Sequence, residues 1–283
     1  MKSANHHYVP QGILKKFCFS NEQLFYFSRN QQAKGVQVRN TKSVFKRRHL
    51  NSWIDESGNR RDSLERFFAT NFDDPIVEFA VKCETAVATN TVNQIGDDDH
   101  RFFVQFLYNY IKRTPDIHEL ALEKSFSDGA LNKVIDKFED EYRELTADEK
   151  LQFHEKVGKK DYFQNARIHA LSDQNPDILD MMATKNLLIG IPANNKKQFI
   201  TASSPVARFQ NVKGDTLKSG TFETWTTLSP RLVVGLMGKK TIPSLHKFPD
   251  SAVRKLNRQL ARQSVAIGGS SKELIKSMVT SMK

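Results

Sequence analysis

Apolar positions along this chain recur first at helical spacing and then, after about residue 184, as short β-rich runs cut by Gly and Pro. Asp62-Ser63-Leu64-Glu65 has the spacing of a capping box, and Leu64, Phe67 and Phe68 continue from it as an apolar stripe, so a helix is predicted to begin there. Pro75, after Asp73-Asp74, predicts a second helix running through Ile76, Val77, Phe79 and Ala80. The clearest helix carries Phe102, Phe103, Phe106, Leu107, Tyr110 and Ile111 on one broad face and stops at Thr114-Pro115. Asp97, Asp98 and Asp99 just before it suit the positive end of a helix dipole better than a cation site. From Pro115 to about residue 183 the pattern is helical again, broken near Gly129, Gly158 and Gly190, with a second capping box at Thr146-Ala147-Asp148-Glu149 and a cap at Asn175-Pro176.

The flanking segments read as strands. Leu24 to Phe27 and Val36 to Val38 predict a small hairpin around a polar loop, near the amino terminus. Leu187 to Ile189, Gln198 to Thr201, Phe222 to Thr226 and Leu232 to Leu236 predict an antiparallel sheet. After Asp250-Ser251 a last helix is expected, with Val253, Leu256 and Leu260 on one side and Arg254, Lys255, Arg258 and Arg262 opposite. The expected fold class is therefore α+β. It has a mostly helical N-terminal two-thirds (1–183) and a smaller C-terminal antiparallel sheet (184–283) closed by a final basic helix, all packed as one continuous domain.

Composition narrows the function. The 283 residues contain no apolar run near the roughly 20 residues a membrane span needs, and the polar start Met1 to Asn5 does not resemble a secretory signal. With only Cys18 and Cys83, a four-cysteine zinc site and a disulfide framework are both excluded, and a reducing cytoplasm is the expected location. Net charge is +11, and it is unevenly spread: residues 184–283 hold 17 Lys or Arg against 4 Asp or Glu, leaving the first 183 residues slightly acidic. Such a field would draw nucleic acid toward the carboxy-terminal part, with the stripe Arg254, Lys255, Arg258 and Arg262 as its contact surface. A second basic cluster, Lys46-Arg47-Arg48-His49, precedes Trp53, an arrangement that suits stacking of a strand but is better explained by a solvated face over a core tryptophan.

No phosphate-binding glycine loop, His-Glu-x-x-His or Gly-x-Ser-x-Gly element is present, so no nucleotide cofactor is expected. His118, His154 and His169 lack metal-ligand spacing. Nuclease chemistry is harder to exclude, because a few carboxylates and histidines gathered by the fold suffice for it. His6-His7, five residues from the start and followed by Tyr8-Val9-Pro10-Gln11, is the most chemically loaded pair in the chain.

That opening, with Leu14 and Phe17 after it, resembles the signature of the bacterial family catalogued as domain of unknown function four-two-three-eight. Arg113-Thr114-Pro115, the run from Phe199 to Val206, Leu228-Ser229-Pro230 and the stretch Asn257 to Ala266, similar to the family's last helix, extend the resemblance over nearly the whole chain. The resemblance implies a cleft shared by His6, His7, Glu65, Arg113 and the Thr201 to Pro205 turn. It also implies an aspartate where this chain has Ser203, so Ser203 enters the candidate catalytic set with an altered role. The expected activity is a metal-dependent nuclease or phosphodiesterase acting on RNA or DNA, with bacterial defence as the expected setting, His6, His7 and Glu65 binding a divalent ion (Mn, Mg or Zn) and Arg113 facing the phosphate. The alternatives are a non-catalytic nucleic-acid-binding protein and a protein-interaction component of a defence or toxin system.

Overall fold

The computed structural model describes residues 5–115, 128–157, 160–209 and 223–282. In chain order the strands are β1 (Asn5–His7), β2 (Gln23–Ser28), β3 (Gln37–Asn40), β4 (Lys46–Arg48), β5 (Trp53–Ile54), β6 (Arg60–Arg61), β7 (Asn186–Pro192), β8 (Thr201–Ala202), β9 (Val206–Phe209), β10 (Glu223–Ser229), β11 (Leu232–Met237), β12 (Ser244–Phe248) and β13 (Ala266–Gly269). The helices are α1 (Gln11–Lys16), α2 (Ser63–Phe68), α3 (Pro75–Ala88), α4 (Asp97–Arg113), α5 (Asp128–Glu141), α6 (Ala147–Val157), α7 (Lys160–Ser172), α8 (Pro176–Ala183), α9 (Asp250–Arg262) and α10 (Lys272–Val279).

This arrangement corrects the expected fold class. Helices are not confined to the first two-thirds, and the strands form four sheets instead of one C-terminal sheet. A five-stranded sheet in the order β12-β7-β11-β10-β9 is antiparallel except for β12, which runs parallel to β7. A four-stranded sheet in the order β3-β2-β13-β8 joins the two ends of the chain, because β13 inserts between the early hairpin and β8. Two-stranded ribbons β1–β4 and β5–β6 complete the set.

The basic helix α9 is followed by β13 and by α10, so it does not close the chain, and the stretch resembling a last helix up to Ala266 ends at Arg262 and re-enters as strand. The physical reason is close packing. Ala266 to Gly269 has too little side chain to announce a strand, yet it is wholly buried, and a Cβ at Gly268 would stand 2.4 Å from Leu24 Cδ1. The expected strand at Gln198 to Thr201 shrinks to Thr201–Ala202 for a related reason. Asn257, buried on α9, accepts from Ile200 N–H (3.1 Å) and donates to the Gln198 carbonyl (2.9 Å), satisfying backbone that would otherwise need a strand partner.

Other expectations match their elements. The β2–β3 hairpin forms, and α3, α4 and α8 start and stop near the residues that predicted them. Asp97 pairs with Lys240, Asp98 with Arg101 and Asp99 with Lys82, while Asp99 also accepts the Gly96 N–H. Those acids cap and pair; they do not form an open cation site. Phe103, Phe106, Leu107 and Tyr110 of α4 join Val9, Ile13, Leu14 and Phe17 in one core, so the residues after His6-His7 hold the amino terminus against the helices. Each such fully buried side chain contributes roughly 1.5–3 kcal/mol of transfer free energy. A second core, under α9 and α10, contains Trp225, Val253, Leu256, Leu260 and Ile275. Among the described residues no helix is long and apolar enough to cross a membrane.

Gly235 of β11 stands opposite Trp225 of β10, and an added Cβ there would meet the Thr224 carbonyl oxygen at 2.3 Å and the indole ring at 2.5 Å. Backbone cannot move aside within a sheet. Gly235→Ala is therefore expected to lower stability by about 1–3 kcal/mol, read as a lower urea midpoint at unchanged slope.

Candidate functional site

Strand pairing brings the first histidine to the centre of a polar cluster. β1 lies antiparallel to β4, with His6 opposite Arg47 and His7 opposite Lys46. Alternation then sends the two imidazoles to opposite faces of the ribbon. His6 is 1% exposed, while His7 Nε2 lies 3.3 Å from the Thr41 carbonyl. Burial lowers the pKa of both rings.

Around His6 the contacts come from the turn after β4, from α2 and from α7. Asn51 N–H donates to His6 Nδ1 (2.9 Å), and Asn51 Nδ2 donates to Glu65 Oε2 (2.7 Å). Glu65 Oε2 itself lies 3.7 Å from His6 Nδ1. With Nδ1 accepting, the neutral ring carries its proton on Nε2. That atom is buried without a hydrogen-bond partner among the described residues, 3.6 Å from Asp62 Oδ1. Asp62 accepts instead from the Ser52 hydroxyl (2.6 Å). Arg167 of α7 reaches under the turn to the Leu50 carbonyl, to Asn51 Oδ1 (3.5 Å) and to the Arg113 carbonyl (3.3 Å).

Glu65 has the most altered acidity of the group. Its side chain is 25% exposed, and burial, opposed by the Asn51 hydrogen bond and reinforced by the Asp73 charge, pushes its pKa up to about 7. A carboxyl group that exchanges its proton near neutrality can act as a general acid or base. At the rim, His49 is half-exposed and stands edge-on to His6 with ring centroids 6.4 Å apart. Burial first, then the charges of Arg60 and Arg48, lower its pKa. Arg48 and Arg60 are exposed and lie close enough to His49 for their charges to act on it, while Arg61 pairs with Asp55 at 3.3 Å.

The expected shared cleft is thus partly assembled. His6 and Glu65 meet, whereas His7 faces Thr41. Arg113 is 1% exposed and pairs with Asp73 at 2.6 Å between the rings of Phe68 and Tyr110, so its guanidinium does not face an opening where a phosphate would sit. Ser203 is fully buried, and its Oγ accepts from the N–H groups of Val265 (3.0 Å) and Ala266 (3.1 Å), tying β8 to β13. A carboxylate oxygen at that position would be offered the same two donors, which makes position 203 a structural acceptor. Among the described residues no group of three or more His, Cys, Asp or Glu side chains is placed to hold a metal ion. His154 is half-exposed and His169 exposed, and His118 lies outside the described residues.

Arg254, Lys255, Arg258 and Arg262 are all exposed along α9, with Lys255 over the Phe209 ring at 5.0 Å. Trp53 is 38% exposed, not a core residue. Sequence reading missed Asn51, Ser52, Asp62, Asp73 and Arg167. Of these, only Asp62 and Asp73 were marked, as residues at helix starts, which pointed to a different role.

The family model described as Protein of unknown function (DUF4238) matches residues 5–271, and the chain belongs to that family. No curated protein and no solved structure matches it.

Because Glu65 holds its proton to about pH 7 when folded and only to about 4.3 when unfolded, ionisation favours the unfolded chain between those values. Stability contributed by the protonated group is full below that window and lost as pH rises through about 7. Glu65→Gln removes the effect. Thermal melts are expected to show the wild type losing ground to Glu65→Gln from pH 5 to 7 and a constant gap from 8 upward; a gap independent of pH would contradict the assignment.

Proposed function

We propose that this DUF4238 protein binds a nucleic-acid strand and cleaves its phosphodiester backbone at the recess formed by Asp62, Glu65 and His49. The observation that carries the reading is Glu65, held by Asn51 against His6 with its pKa pushed up to about 7, and Arg48 and Arg60 exposed beside the neighbouring His49. His6 is too covered to touch a substrate and serves as a positioning residue, fixed by Asn51 and leaving Nε2 to Asp62. Asp62 and Glu65 are each about a quarter exposed, so they, with His49, are the groups a strand can reach. Arg48 and Arg60 supply charge for the phosphate and the recess supplies proton transfer, which is worth about 10²–10⁴-fold in rate.

A second reading, binding without cleavage, is favoured by one separate observation. Arg254, Lys255, Arg258 and Arg262 present four cations along one exposed helix face, a footprint suited to a phosphate backbone whatever the recess does.

The test is incubation of the purified protein with end-labelled RNA and DNA, in Mg²⁺, Mn²⁺, Zn²⁺ or chelator. Cleavage by wild type that falls about a hundredfold or more in Glu65→Gln, with strand binding kept, supports the hydrolytic reading. Salt-sensitive binding with no cleavage under any condition supports the second. In either case, neutralising Arg254, Lys255, Arg258 and Arg262 to Gln is expected to weaken binding of all sequences alike and to flatten the dependence of affinity on salt.

A further inference from the structure

A cavity of about 230 Å³ lies between the 194–198 loop, the first half of α9 and α10. Val253 and Met278, both buried, and Leu274 give it an apolar side, while Lys196, Lys197 and Arg254 line it against one acid, Asp250. That acid is already engaged. Asp250 Oδ2 accepts from Asn194 Nδ2 at 3.3 Å and lies 3.5 Å from Lys197 Nζ. Lys196 and Arg254 are exposed and have no ion-pair partner among the described residues, so two positive charges at this cavity are left uncompensated.

The loop that bears the lysines is held in place. Arg231 Nη1 donates to the carbonyls of Asn194 (3.1 Å), Asn195 (2.9 Å) and Lys197 (3.0 Å), and Arg231 Nη2 donates to Asn195 Oδ1 (2.7 Å). Asn257, which is 2% exposed, grips the backbone on either side of Phe199 through the Gln198 carbonyl and the Ile200 N–H. Gln198 lines the cavity as well, and its Oε1 accepts from the Ser270 hydroxyl at 3.0 Å. With the amide oxygen engaged, the Nε2 hydrogens have no partner among the described residues and remain as donors for a ligand. A loop tied by this many bonds loses little further freedom when something binds against it.

We infer that this cavity binds a phosphate monoester. Such a group carries nearly two negative charges at neutral pH, which matches the two uncompensated cations, and its oxygens accept from ammonium, guanidinium and amide donors alike. A carboxylate brings one charge and leaves the second cation unmet. The volume is below that of a site for a drug-sized molecule, so it takes the phosphate and the group next to it, with the apolar side against the organic part. Of the four cations along α9, Arg254 alone lines the cavity. A strand lying on that helix would therefore enter by a phosphorylated end, and a free nucleotide offers the same chemistry. The inference does not depend on the chemistry of the recess around Glu65.

Two titrations of the full-length protein test it and separate the two sources. One compares adenosine 5′-monophosphate with adenosine; the other compares one oligonucleotide sequence carrying a 5′-phosphate, a 3′-phosphate or only hydroxyl ends. A terminal phosphate is expected to tighten binding about tenfold or more in at least one of the two. Lys196→Glu, at an exposed position outside both cores, is expected to abolish that gain at an unchanged unfolding midpoint. A gain for a phosphorylated strand end identifies the strand as the source. A gain for the mononucleotide alone identifies the free small molecule. No gain from phosphate in either titration overturns the inference and leaves strand binding along α9 intact if the hydroxyl-ended strand still binds, and a gain that survives Lys196→Glu overturns it equally. If no strand binds and the mononucleotide gain is lost in Lys196→Glu, the cavity is upheld and the strand-binding readings fail.

Discussion

Asn51 is the residue on which the recess depends. It is fully buried, and its backbone N–H, its amide nitrogen and its amide oxygen each engage a different partner: His6, Glu65 and Arg167. Those partners come from β1, α2 and α7, so one residue, through its backbone and its side chain, ties together three elements that lie far apart in sequence. Burying so many polar groups is favourable only when each is paired, and removal of one member would strand the others at about 1–3 kcal/mol apiece. Within this cluster the exception is His6 Nε2, which has no hydrogen-bond partner among the described residues and lies 3.6 Å from Asp62.

Two identical sequence signals show how the recess takes its chemistry. At Thr146 and Glu149 the capping box closes: the Thr146 hydroxyl accepts the Glu149 N–H at 3.2 Å, and Glu149 accepts the Thr146 N–H at 2.9 Å. The half-exposed acid is held down to a pKa of about 2, first by its pair with Arg143 and then by the Thr146 N–H. At Asp62 and Glu65 the same spacing starts a helix, but Asp62 makes no cap hydrogen bond. Its carboxylate goes to Ser52, and Glu65 goes to Asn51. Glu65 is partly buried and has no arginine fork on its carboxylate, so burial moves its pKa the opposite way.

Local pattern made much of this legible. Helix starts at Pro75 and Pro176, the aromatic face of α4, the β2–β3 hairpin and the two-sided α9 follow from spacing alone, because each element satisfies its own backbone. What stayed hidden depends on distant pairing. β13, with only Ile267 among Ala and Gly residues, becomes a central strand only when β2 and β8 flank it, and β12 joins β7 in parallel, a connection no hairpin signal announces. The site follows the same rule. His6 and Glu65 could be named from the sequence, yet Asn51, Asp62 and Arg167 join them only through contacts across the turn, and Arg113 pairs with Asp73 inside the core. Net charge misdirected in one respect. The first 183 residues are slightly acidic in total, but folding brings Arg48 and Arg60, on separate ribbons, to the same histidine, His49.

The central claim is that the Asn51 cluster keeps Glu65 poised to exchange a proton near neutral pH. The direct measurement is an NMR titration of the Glu65 side-chain carboxyl carbon, identified by its absence in Glu65→Gln. A midpoint of about 7 is the expected result. A midpoint in the ordinary glutamate range, near 4.3, would contradict it.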